Sequence, residues 1–211
     1  MAIIHRASIT PTKAELIAAW LPTRAWSGGA GTVDLLGAYR FDDPAGEVGI
    51  EAHLARTERG DVLHIPLTYR AAPLDGADRH LVGTMVHSHL GRRWVYDGCA
   101  DPVCVAALVT AIRTGGREAE EWVHADGAPV RRESTAYVTG SGAPGAEVPD
   151  VGVAAPIDGP AATDVGDLVV LRVIGKGSGA AGGETLTGTW VGQDEPVILA
   201  HLGGGAGQRE R

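Results

Sequence analysis

The segment HSHLGRRWVYDGCADPVC, from His87 to Cys104, gathers two histidines, two arginines, two aromatics, two aspartates and both cysteines of the chain within eighteen residues. His87 and His89 stand two apart in a stretch that reads as a strand. At that spacing both imidazoles share a face and could hold one metal, with Asp97, Cys99 or Cys104 as a third ligand. Against this, the Cys-x4-Cys pair lacks the two-residue spacing of common zinc motifs, and no second Cys/His pair follows. Cys99, at a helix start, could act as a nucleophile with His87 or His89 as base. Buried structural thiols are the commoner case.

Arg92 and Arg93 could each hold a phosphate or carboxylate. On a strand they point to opposite faces and cannot act as one fork, so one is expected to pair with Asp97 or a nearby Glu. Trp94 and Tyr96 share a face and could stack on a sugar ring, although rings this large more often fill a core. The candidate binding surface is therefore His87, His89, Arg92, Trp94, Tyr96 and Asp97. No catalytic residue, metal or cofactor is assigned. Glu47 and Glu51 share a strand face, and a wet sheet surface explains them. GKGSGAAGG around Lys176 is not a phosphate loop, because Gly177 stands where Ser or Thr is needed and a strand follows. G-x-S-x-G and H-E-x-x-H are absent.

These residues must be positioned by a mixed set of elements. A strand is expected over Ala2 to Ile9. Thr10-Pro11 then opens a helix with Thr10 as N-cap, a capping box at Thr12 and Glu15 offers a second start, and Pro22 stops the helix. Strands follow at Val33 to Phe41, Glu47 to Arg56, Val62 to Tyr69 and Leu81 to Leu90, the last turning at Gly91 into Arg92 to Asp97. The second and third alternate with period two, which predicts antiparallel strands with one face buried and one wet. Asp101 caps a second helix that Gly115-Gly116 closes. A hairpin spans Glu121 to Arg132, and a strand lies near Thr135 to Thr139. Gly140 to Asp167 reads as loop. Leu168 to Ile174, Thr185 to Val191 and Val197 to Leu202 form a closing meander.

The predicted fold class is α+β, a curved antiparallel sheet packed by two helices and followed by a smaller β-rich portion. The expected divisions are 1–116, 117–203 and a disordered tail at 204–211. Whether 117–203 continues the first sheet stays open. With 211 residues the chain can bury a core without disulfides or metals. Its net charge of −8 disfavours nucleic acid and anionic membranes as partners. No apolar run spans a bilayer, and the N-terminus lacks a signal-peptide pattern, so a cytoplasmic location with reduced thiols is expected.

Four strings, ASITPTKAELIAAWLP, FDDPAGEVGIE, IPLTYRAAPL and LGRRWVYDGCADPVCVAAL, resemble the N-terminal cap region of actinobacterial maltokinases. The match is similar to free-standing proteins that carry such a cap and are labelled by transfer as glucan-branching or trehalose-synthase-associated. The resemblance covers about residues 1 to 115 and implies a small curved, cystatin-like sheet with helices. The phosphoryl-transfer residues of maltokinases lie in later lobes, and this chain holds no H-x-D-x-x-x-x-N loop. It therefore implies a non-catalytic protein acting through a protein partner or a second copy, near α-glucan, trehalose or maltose metabolism. The alternatives are a binder of a sugar or sugar phosphate, and a metal- or thiol-dependent enzyme built on His87, His89 and Cys99.

Overall fold

The computed structural model describes residues 2–4, 8–125, 128–149, 154–176 and 183–203. The chain runs β1 (Ala2–Ile4), β2 (Ile9–Thr10), α1 (Lys13–Trp20), β3 (Val33–Phe41), β4 (Gly49–Thr57), β5 (Val62–Arg70), β6 (Leu81–His87), β7 (Gly91–Asp97) and α2 (Pro102–Thr114). It continues with β8 (Glu121–Ala125), β9 (Ala128–Arg132), β10 (Ala136–Gly140), β11 (Ile157–Asp158), β12 (Ala162–Val165), β13 (Leu168–Leu171), β14 (Thr185–Trp190) and β15 (Gln193–Leu202). The class is α+β, as expected. A curved antiparallel sheet has the order β2-β6-β7-β5-β4-β3, and a second six-stranded sheet has the order β10-β14-β15-β13-β12-β11. A small third sheet pairs β1 with β8 in parallel and β8 with β9 antiparallel.

Helix starts follow local chemistry. Thr12, not Thr10, caps α1: its hydroxyl accepts from the Glu15 amide, and the Glu15 carboxylate accepts from the Thr12 amide at 2.7 Å. This box satisfies two helix-end amides at once, which a cap at Thr10 could not. Asp101 caps α2 by accepting from the Val103 amide, and it also receives both ends of the Arg70 fork at 2.7 Å. Gly115 closes α2 in a left-handed conformation.

The largest departure from expectation concerns the wet face. Residues 50 to 55 of β4 are all buried. The register explains it: Ile50, Ala52 and Leu54 lie opposite Thr68, Pro66 and His64, while Glu51 and His53 lie opposite Leu67 and Ile65. The apolar stripes of β4 and β5 thus point to opposite faces of the sheet, and both faces need cover. On one, Leu63, Ile65, Leu67, Met85 and Val95 pack with Leu16, Ile17 and Trp20 of α1. On the other, Tyr39, Ile50 and Leu54 share a core with Val105, Leu108 and Ile112 of α2 and with Val170, Leu186 and Leu199 of the second sheet. The buried side of α1 is formed by Leu16, Ile17 and Trp20.

The 140–167 segment is not all loop, because β11 and β12 lie within it. The first sheet is tied to the second by an antiparallel bridge between Leu63 and Val173, and by the His64 amide donating to the Arg172 carbonyl at 3.0 Å. The expected tail 204–211 and most of the Gly-rich stretch after Lys176 lie outside the described residues.

Candidate functional site

The six residues predicted as a binding surface do not converge. Tyr96 is 1% exposed, and its hydroxyl accepts from the Leu74 amide at 2.9 Å. Asp97 is 2% exposed. Both belong to the interior, which corrects their assignment to a surface. Trp94 is half-buried, while Arg92 and His89 are exposed. His89 lies beyond the end of β6, in the turn, so it does not share a strand face with His87. The two rings stand 6.2 Å apart, centre to centre. His87 Nδ1 accepts from the amides of His89 and Leu90, so a neutral ring carries its proton on Nε2. Among the described residues no group of three His, Cys, Asp or Glu side chains is placed to hold a metal.

The thiol reading is corrected too. Cys99 and Cys104 are both free and buried. Burial pushes the Cys99 thiol well above its usual range, against the Arg172 charge, and burial and Cys99 push Cys104 up likewise. A nucleophilic thiol needs the opposite shift and an open approach.

Asp97 pairs with Arg172, not with Arg92 or Arg93. One Arg172 terminal nitrogen donates to both Asp97 oxygens at 2.6 Å, and its Nε donates to the Thr163 hydroxyl at 2.8 Å. The guanidinium stacks 4.9 Å from the Trp26 ring and is fully buried. Next to it, His64 Nδ1 donates to the Leu171 carbonyl, and its Nε2 accepts from the Tyr39 hydroxyl. Burial, aided by the Arg172 charge, pushes His64 down to about 3, so the ring is neutral. This polar junction fastens the two large sheets together. It is closed to solvent and serves architecture.

The open site lies elsewhere. A groove of about 580 Å³ runs between the turn after β3, the start of α1 and the β6–β7 end, with Lys13, Arg40, Tyr69, Met85, His87 and Arg93 among its walls. Of the predicted surface only His87 reaches it. Behind the groove sits a buried cluster. Glu51 Oε2 receives Lys13 Nζ at 2.5 Å and the Tyr69 hydroxyl at 3.0 Å, with His53 Nε2 at 3.3 Å. Burial alone would raise the Glu51 carboxyl, but the His53 ring and the Arg40 and Lys13 charges outweigh it and hold it well below its ordinary value. Burial and the Glu51 charge drive the Tyr69 hydroxyl up, so it stays protonated as a donor.

At the rim, Asp43 accepts from the amides of Ala45, Glu47 and Val48. Burial would raise its carboxyl, and those donors lower it below the usual value. The groove thus has fixed walls, apolar patches and a few aimed polar groups, the general makeup of a small-molecule site.

Fold and groove together define an α+β sheet module with a cleft at the edge of its α1-bearing face. Residues 20–101 match the maltokinase N-terminal cap domain family, so this segment is a cap-like domain. The match takes in β3 to β7 and stops short of α2 and both later sheets, covering less than half of the chain. It includes Arg40, Glu51, His53, Tyr69, Arg93 and Asp97, and leaves out Lys13 and Arg172. No curated protein matches the chain. No helix among the described residues is long and apolar enough to cross a membrane.

Proposed function

We propose that this chain is a non-catalytic cap-like protein that acts by contact, with a protein partner or a second copy, in maltose, trehalose or α-glucan metabolism. The cap match over residues 20–101 carries this reading. The α2-bearing face of the first sheet is already covered by a second sheet within the same chain, so a partner would meet another surface. Size-exclusion chromatography with light scattering, over a wide concentration range, tests self-association. Affinity capture with maltose- and α-glucan-processing enzymes from the same cell tests partnership. A strictly monomeric protein that retains none of those enzymes overturns the reading, as does turnover of ATP and maltose by the pure chain.

A second reading has one specific observation behind it. The groove beside Lys13, Arg40 and Arg93 has the volume of a small-molecule site, which favours a binder of a sugar or sugar phosphate. Calorimetry with maltose, trehalose and sugar phosphates tests it, and silence across the panel removes it.

A further inference from the structure

We infer that this groove binds a small anion, a phosphate ester or carboxylate on a polar small molecule, with Arg93 as its main anchor; the inference rests on the ligand reading of the groove. Arg93 pairs in register with Met85, and its side chain lies on the groove side of β7. It makes no ion pair among the described residues, and its Nε is buried without a hydrogen-bond partner. A guanidinium that lines a cleft and has no ion-pair partner is completed by an acceptor brought by a ligand, and a charged acceptor bonds it most strongly. Arg40 lines the same groove and has no carboxylate at ion-pair distance among the described residues.

Two of the neighbouring acids are already engaged. Glu51 is turned inward onto Lys13 and Tyr69, and Asp43 is turned onto the amides of its own turn. Asp42 and Glu47 are exposed at the rim. Arg40 and Arg93, with no carboxylate at ion-pair distance among the described residues, therefore supply the cleft's cations, Lys13 being held by Glu51, while the apolar Ile9, Met85 and Leu90 supply the walls. A neutral sugar would satisfy the shape but leave this field unused.

Calorimetry of the full chain against inorganic phosphate, glucose 6-phosphate, glucuronate and maltose tests the inference. At least one of the three anions should bind, the phosphate and carboxylate arms showing which group is preferred. Arg93→Gln should weaken that binding about tenfold or more, the worth of one charge-assisted hydrogen bond. Arg93→Lys keeps the charge and should fall between. Arg92→Gln removes the same charge from the opposite face of β7 and should change affinity less than about twofold. Binding of maltose with no heat from the anions sinks the anion inference and leaves the ligand reading standing. Silence from all four probes removes both. Equal weakening by the Arg92 and Arg93 variants, or none by Arg93→Gln, also overturns it.

Discussion

Replacing Asp97 by Ala tests whether the two large sheets are held by a charge pair that neither can lose alone. Arg172 is wholly buried, and Asp97 supplies the one carboxylate that touches it among the described residues. Without Asp97 the guanidinium keeps only Thr163 as a hydrogen-bond acceptor, plus the Trp26 face. A buried cation stripped of its partner costs about 3–5 kcal/mol, and the Cys99 amide also loses its acceptor, for about 1 kcal/mol more. In urea, with a slope of about 2–3 kcal/mol per molar, the midpoint should fall by about 1.3–3 M at unchanged slope. The double change Asp97→Leu with Arg172→Met removes both charges. It should return stability to within about 2 kcal/mol of the parent, because apolar side chains can replace a buried ion pair at little loss. A loss below about 1 kcal/mol for Asp97→Ala would mean water reaches the guanidinium. A double variant no better than the single would mean the junction acts through shape alone. Either result refutes the charge argument.

Three further outcomes are expected. His64 has its folded value near 3, below an unfolded value of 6.5, so its contribution is full above pH 6.5 and fades as the pH falls toward 3. Between pH 7.5 and 5 it should remove about 2 kcal/mol of unfolding free energy; His64→Gln should lack that loss in urea titrations at the two pH values, and an identical loss would contradict the neutral buried ring. Gly142 donates its amide to the Ile112 carbonyl, and a Cβ there would stand 1.9 Å from the Arg113 carbonyl oxygen. Gly142→Ala should lower stability by about 2 kcal/mol or more, while Gly31→Ala, with open space around it, should stay within about 0.5 kcal/mol; equal effects in thermal melts would refute the contact. Cys99 and Cys104 should resist a thiol reagent in the native protein and react together on unfolding, and fast native labelling of either would show the core is open there.

Much of the framework was legible because local signals are short-range. Val33–Phe41 ends where the DDPAG turn places it, and Asp101 with Gly115 brackets α2 as caps must. What escaped was register. The alternation within β4 and within β5 is local and visible in the sequence. Which stripe of one faces which stripe of the other depends on how many residues the 57–61 connection uses. That number sets Arg56 opposite Val62, hence Leu54 opposite His64, and sends the two apolar stripes to opposite faces. A sheet with one wet face therefore became a sheet buried on both. Glu51, His53 and His64 changed from solvated groups into interior partners.

Burial also accounts for the interior placement of Tyr96 and Asp97. A dense run of reactive residue types is a reliable sign only if the backbone leaves them exposed, and β7 is next to the centre of its sheet. Its inner end, Tyr96 to Cys99, is enclosed by α2 and by the 172–174 strap. The partner of Asp97 lies 75 residues away, inside the apolar run VVLRVI, where one arginine in a buried strand was the available signal. Buried charges are retained only when paired, so an arginine in such a run implies an acid somewhere in the same core. The outer end of β7 has the reverse geometry. There Arg93 lines an open groove and makes no ion pair among the described residues, which is why the proposed anion site is placed at that end.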